Sequence, residues 1–290
     1  MEKGIIIRGV GGFYEVLTDT QDTVTCRLRG RLRLEGERVL VGDRVLITRT
    51  GAGEGVVEEL CARKTQLQRP PVANVEQVLV VMAAADPEPD LILLDRILTH
   101  AELAGLEAAV IINKSDLTVE TAQRLEQIYQ PAGYPVIRTS AKAGLGLDAV
   151  RERLAGRIST FAGPSGVGKS SLINALEPGY SLQTGEISAK LGRGRHTTRS
   201  VSLLRLSSGG LIADTPGFSR LDTVDTELEA VQHLFPEFRP YLGECKFRSC
   251  LHRNEPSCAV KDAAAAGKIA ASRYEHYLLF LGEVEENQPY

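Results

Sequence analysis

The chain of 290 residues has no tryptophan, only 5% aromatic residues and two methionines. With 43% hydrophobic and 24% charged residues, the composition is globular and excludes both a disordered and a fibrous class. No sign of charge dominates, the formal net charge being −3. An overall basic balance is therefore no reason to propose a nucleic-acid partner, and any such partner must be argued from local patches. Long apolar runs are missing as well. The opening MEKGIIIRGVGGFY holds a three-residue apolar run, far short of a signal-peptide core, and no window approaches the roughly 18 apolar residues of a membrane helix. The expectation is a cytoplasmic protein with no membrane partner. Five cysteines is an odd count, and three of them crowd between Cys245 and Cys258, which in a reducing compartment points to metal binding over disulfides.

The length fits two or three domains. Residues 1–66 read as short alternating strands parted by turn signals such as Gly11-Gly12 and Gly42-Asp43, the pattern of a small β-barrel with no long helical period. Arg27, Arg29, Arg31 and Arg33 alternate with smaller or apolar residues. In an extended run they emerge on one face, either solvated or facing phosphate, unless Gly30 bends the run and splits the set. Arg69-Pro70-Pro71 marks a linker. Beyond it, apolar strands (77–85, 108–112, 135–139) alternate with helical stretches (91–104, 119–129, 147–157), predicting βαβ units and a parallel sheet covered on both faces. A strand at 158–162, a glycine-rich loop, a helix from Lys169 to Leu176 and two more strands (201–206, 210–213) complete a domain of residues 67–221. Residues 222–290 turn helical and irregular around a Cys/His cluster, with an Ala-rich amphipathic stretch at 260–281.

Three short segments carry the chemistry. Gly163-Pro164-Ser165-Gly166-Val167-Gly168-Lys169-Ser170 matches GxxxxGK[ST], a pattern met by chance about once in a hundred chains of this length. Its glycines let backbone N–H groups turn inward around phosphate oxygens at the start of a helix that continues through Ser171. Lys169 neutralises the β and γ phosphates, and the Ser170 hydroxyl is a magnesium ligand. Asn113-Lys114-Ser115-Asp116 reads the base. The Asp116 carboxylate accepts from the N1–H and 2-amino donors of guanine, which adenine does not offer. Lys114 lays its stem along the base, and Asn113 ties the base loop to the phosphate loop. After the next strand, Thr139-Ser140-Ala141 places the Ala141 N–H toward the guanine carbonyl oxygen. Asp214-Thr215-Pro216-Gly217 follows a strand, with Asp214 reaching magnesium through water and the Gly217 N–H facing the γ phosphate. Phe218 stands where many GTPases carry a water-orienting Gln, and phenylalanine can neither orient nor deprotonate water. His196 is the nearest replacement, and Thr198 or Thr197 is the magnesium-sensing threonine.

The base-reading segment precedes the phosphate loop, so the chain resembles a circularly permuted GTPase. With the barrel, the Gly192-Arg193-Gly194-Arg195-His196-Thr197-Thr198 segment and the C-terminal Cys/His cluster, it resembles the ribosome small-subunit-dependent GTPase A family over essentially its whole length. The resemblance implies a multidomain α/β chain: an N-terminal OB-fold that binds RNA, a permuted P-loop GTPase centre, and a helical zinc-binding domain. It implies a GTP hydrolase of late small (30S) ribosomal subunit maturation, monomeric, bound to that subunit and its rRNA, using GTP or GDP, Mg2+ and one structural Zn2+. It also places the family's catalytic histidine on His196, beside Lys169 and Thr198. Many members carry a longer basic N-terminal extension that is missing here. Within that pattern, Cys245, Cys250, His252 and Cys258 supply three thiolates and one imidazole, a full tetrahedral set for structural zinc. Cys26 and Cys61 read as small barrel residues, and His233 and His276 as ordinary helix-surface residues.

Two other classes compete. One is an RNA-binding module in which nucleotide is structural, and the other is a permuted GTPase acting on the large subunit, which should lack both the barrel and the Cys/His cluster. Lys190, Arg193, Arg195, Arg199 and Arg205, with no acidic residue between the first and the last, suit a segment that orders against rRNA. Motif order carries a mechanical expectation too. The segment leaving Gly217 runs into the zinc domain, so γ-phosphate loss is expected to swing that domain while the barrel stays fastened to the base-reading half.

Overall fold

The computed structural model describes residues 1–34, 38–68, 71–180, 201–214 and 224–287, with the backbone alone at positions 33, 34 and 214. The N-terminal strands other than β2, whose last three residues are all buried, alternate more and less buried positions, as a closed barrel requires. They are β1 (Glu2–Val10), β2 (Phe13–Thr18), β3 (Thr23–Leu28), then a short helix α1 (Gly30–Leu34), β4 (Arg44–Gly51) and β5 (Glu54–Leu60). Their order β1-β2-β3-β5-β4 closes through an antiparallel β1–β4 pair around Ile6, Val16, Val24, Cys26, Val45, Ile47 and Val57. The arginine run does not stay extended. β3 ends at Leu28 and the chain turns into α1 at Gly30, so the four arginines do not share one strand face. Arg27 lies over the Phe13 ring, and Arg29 pairs with Glu58.

A small hairpin, β6 (Gln66–Gln68) with β7 (Pro71–Ala73), leads out of the barrel. Asn74 fastens this exit, donating from Nδ2 to Gly42 O at 2.9 Å and accepting the Lys64 N–H at 2.9 Å. Next come β8 (Gln77–Ala83), α2 (Leu91–Leu103), β9 (Glu107–Asn113), α3 (Val119–Tyr129), β10 (Val136–Arg138), α4 (Leu147–Leu154), β11 (Ile158–Ala162), α5 (Lys169–Leu176), β12 (Ser202–Arg205) and β13 (Leu211–Asp214). Every residue of β8 is buried, as expected of a central parallel strand covered on both faces. The order β10-β9-β8-β11-β13-β12 is parallel except for β12, which runs antiparallel to β13. β12 in turn pairs with β1 at Ser202–Arg8, so barrel and central sheet form one continuous sheet.

The C-terminal region is built from two 3₁₀ segments (Leu228–Leu234 and Pro236–Tyr241) and helices α6 (Ala259–Ala265) and α7 (Ala271–Asn287). The expected single Ala-rich stretch is thus two helices, parted by a turn at Gly267. Its core is Val231, Phe235, Phe238, Val260, Tyr277 and Phe280, where Phe235 meets Tyr277 edge-on at 5.4 Å. This core is clamped to α2 by charge. Arg273, fully buried, pairs with Asp95 at 2.8 Å and donates to Glu237 at 2.6 and 3.0 Å, while Tyr129 donates to Asp95 at 2.8 Å. Burial opposes the Arg273 charge, but the two carboxylates more than offset it and hold its pKa above the usual arginine value. His276, expected on a free helix surface, instead places Nδ1 2.5 Å from Asp95 Oδ2, because α7 packs that face onto α2. Arg96 to Glu283, bidentate at 2.6 Å, and Arg239 to Glu102 at 2.7 Å complete the clamp.

Candidate nucleotide and metal sites

The glycine-rich loop begins where β11 ends, at the carboxyl edge of the parallel strands, where open α/β sheets bind ligands. Two of its glycines are required by geometry. Gly163 sits at φ +128 with a Cβ position only 2.1 Å from Val81 O, and Gly168 at φ +94 with a Cβ position 2.3 Å from Asn113 Nδ2. Gly168 precedes α5, whose bonding starts with Leu172 N–H to Gly168 O at 2.8 Å. Lys169 folds back over the loop and donates to Gly163 O at 2.7 Å and Pro164 O at 2.6 Å. Burial disfavours its charged form and lowers its pKa, and the two loop carbonyls are the acceptors that phosphate oxygens would replace. Ser165 and Gly166 are exposed at the loop tip, Val167 is packed beneath it, Ser170 is buried and Ser171 half-buried on the first turn of α5.

Asn113, the last residue of β9, joins the segments that the chain order separates. Its Nδ2 donates to Val167 O at 2.9 Å, and its Oδ1 accepts from Thr139 Oγ1 and the Ala141 N–H, each at 3.2 Å. One buried amide thereby ties the base loop, the Thr139-Ser140-Ala141 loop and the phosphate loop. The Ala141 N–H, expected to face the base, is directed at Asn113, so any base contact must share that hydrogen. Ser140 Oγ accepts from the Ala143 N–H at 3.2 Å, and Ser115 Oγ donates to Thr139 O at 2.9 Å, which fixes the rim around exposed Asp116. Lys114, at φ +57, donates to the carbonyl of Asp86. The Asp86-Pro87 turn was not among the expected site residues. Its position at the end of β8, the central strand between β9 and β11, was the available signal. Asp214 ends β13, beside β11, on the same edge of the sheet. His196, Thr197, Thr198, Gly217 and Phe218 lie outside the described residues.

In the C-terminal region the ligand atoms of Cys245, Cys250, His252 and Cys258 all fall within 4.8 Å of one another. His252 Nδ1 lies 3.2 Å from Cys258 Sγ and 3.5 Å from Cys245 Sγ. Its Nε2 lies 2.7 Å from Gln232 Oε1, an acceptor that keeps the proton on Nε2 and leaves the Nδ1 lone pair toward the sulfurs. Sequence reasoning did not find Gln232, which sits 20 residues away on the first 3₁₀ segment. Burial pushes the Cys250 thiol up to about 12, raises Cys258 and lowers His252. A dication would hold so compact a thiol cluster as thiolates, and the set of three sulfurs and one nitrogen is compatible with zinc.

Comparison with known proteins agrees with this geometry. The RsgA GTPase family matches residues 60–224, and the RsgA N-terminal domain matches residues 3–57. A protein of Moorella thermoacetica called small ribosomal subunit biogenesis GTPase RsgA is 53% identical over 282 residues, covering 97% of each chain. The protein of the same description from Geobacillus thermodenitrificans is 49% identical, covering 100% of this chain and 99% of its own. Among solved structures, YjeQ from Thermotoga maritima superposes with a TM-score of 0.88 at 39% identity, covering 99% of both chains. YloQ, described as a circularly permuted GTPase, superposes at 0.85 with 38% identity, over 99% of this chain and 96% of that one.

Proposed function

The chain belongs to the RsgA GTPase family and is a GTP hydrolase, and from that premise we propose that it acts in late maturation of the small (30S) ribosomal subunit, binding rRNA and hydrolysing GTP when the subunit stimulates it. The observation that carries the reading is the Asn113 side chain, which draws the base-reading and phosphate-binding segments into one site although the chain supplies them in inverted order. In this reading Asp116 and Lys114 select guanine, the loop from Gly163 to Ser171 with Ser140 and Ala141 holds the nucleotide, and Lys169 neutralises phosphate charge. Ser170, Thr198 and Asp214 would hold Mg2+, which supplies charge neutralisation at the β and γ oxygens. Gly217 would meet the γ phosphate, and His196 would orient water when the subunit is bound. Cys245, Cys250, His252 and Cys258 would hold one structural zinc. The reading keeps a barrel of residues 1–66, a GTPase centre of 67–221 and a zinc domain of 222–290, in a monomeric cytoplasmic protein. Among the described residues no helix is long and apolar enough to cross a membrane.

GTP turnover measured with isolated small subunits, isolated large subunits and neither tests the proposal. Stimulation by small subunits alone is expected. Stimulation by large subunits would favour the large-subunit reading, and nucleotide binding without multiple turnover would favour a module in which nucleotide is structural. The His196→Ala variant should lose most of the stimulated turnover, on the order of 100-fold for a residue in general acid–base or water-orienting service. Full stimulation in that variant would remove His196 from the mechanism.

A further inference from the structure

The attachments of the two end regions reverse the mechanical expectation drawn from motif order. The zinc-binding region, expected to swing, is clamped to α2 on the base-reading side through Arg273, His276, Arg96 and Arg239. The barrel is held to the linker by Asn74 and is also paired with β12. On that strand, Ser202 is the register partner of Arg8 in β1 on one side and of Asp214 in β13 on the other. A row of three residues thus runs from the barrel to the proposed magnesium segment. Two further bonds reinforce the row at the far end of β12. Arg205 Nη1 donates to Gln21 O in the β2–β3 turn of the barrel at 2.9 Å, and Tyr180 Oη, just beyond α5, donates to Arg205 O at 2.7 Å. Arg205, expected among cations facing rRNA, is therefore a bridge between the barrel and the GTPase sheet.

We infer that the barrel senses the nucleotide through the Arg8–Ser202–Asp214 row of β1, β12 and β13, with the linker as pivot and the zinc-binding region as the fixed side. The inference rests on the reading of Asp214 as the magnesium-side residue. A β-strand pair transmits displacement because its hydrogen bonds fix register, and a one-residue slip would turn every side chain to the other face. A shift of the β13 end on loss of the γ phosphate is therefore carried across β12 into β1. Coupling is reciprocal, so RNA held by the barrel must also bias the nucleotide equilibrium at the GTPase centre.

Hydrogen exchange of the full chain, loaded with GDP or with a non-hydrolysable GTP analogue in magnesium, tests the inference. Exchange in β1 and the β2–β3 turn should differ by at least about fivefold between the two states, the lower end of ordinary allosteric coupling, while α7 stays unchanged. Arg205→Ala should shrink the difference at the β2–β3 turn and in β1. A difference confined to α7, or none in a chain that binds both nucleotides, would overturn the inference. Calorimetry on the same sample separates it from its premise: a chain that binds neither guanine nucleotide overturns the functional reading as well.

Discussion

Asn113 and Arg273 perform the same physical task in two places, since each is a buried polar group whose partners come from segments far apart in the chain. Such groups are held only where every partner is present, because an unpaired one costs its full desolvation penalty. For Arg273 the consequence can be measured. Replacement by methionine keeps much of the volume but removes the guanidinium that pairs with both Asp95 and Glu237, which should cost about 3 to 5 kcal/mol. Chemical denaturation would register that loss as a lower midpoint at unchanged slope. At Asp116 the outcome is a change of substrate more than of stability. An asparagine there offers one acceptor and one donor, which complement the N1–H and 2-oxo group of xanthine, so Asp116→Asn should weaken GTP binding and admit xanthosine triphosphate. Competition binding with the two nucleotides checks it. Asp116 can be proposed from the sequence because the chemistry asked of it is local. Arg273 was not, since nothing in a helical run of Ala, Ser, Arg and Tyr announces partners 36 and 178 residues away.

Of the elements whose signal is periodic or punctuated by glycine, α3, β11 and α5 match the sequence reading to the residue, while β8, β10 and α4 end two, one and three residues earlier than expected. The arginine run left two readings open because alternation of charge with leucine mimics a strand, and the structure takes the second, in which Gly30 lets the chain leave the sheet and turn helical. The Cys/His segment is the opposite case, since it has no regular period and is held by local bonds and the cluster of its ligand residues. His252 and Ser257 sit at φ +57 and +55, conformations that cost a non-glycine residue energy and that local bonds must hold. Glu255 supplies some of these bonds by accepting the N–H groups of Leu251, Arg253 and Asn254, and Cys258 opens α6 by accepting from the Lys261 N–H at 3.5 Å. A metal that locks the four ligands therefore contributes folding free energy to the Phe235–Phe238–Tyr277 core. Removal with a strong chelator should expose that core and lower the melting temperature, and re-addition of zinc should restore it. Circular dichroism with zinc titration measures both arms. An unchanged melting curve after metal analysis shows the site emptied would contradict a structural role.

Across the whole molecule, permutation places the outer strand β12 next to β1, and apolar packing follows the same boundary. Ile5, Ile7 and Leu17 of the barrel belong to the cluster of Val72, Val75, Leu203 and Ala213, not to the barrel's own interior. The barrel therefore has two faces with different work: Ile6, Val16 and Val24 close it, while Ile5, Ile7 and Leu17 weld it to the GTPase sheet. Sequence alternation revealed the strands but not this division, because period-two patterning says that a face is apolar without saying what covers it. If the weld is real, the barrel and the central sheet share one unfolding event. Leu17 is buried to 7% exposure, so Leu17→Ala should destabilise the fold by about 2 to 5 kcal/mol. The diagnostic is where that loss is felt. Native-state hydrogen exchange should accelerate in β8 and β11, which lie strands away from the mutation, by the same factor as in β2 and β3. Acceleration confined to β2 and β3 would mean that the barrel opens by itself. Its pairing with β12 would then be a contact between independent units and not a continuous sheet through which one can act on the other.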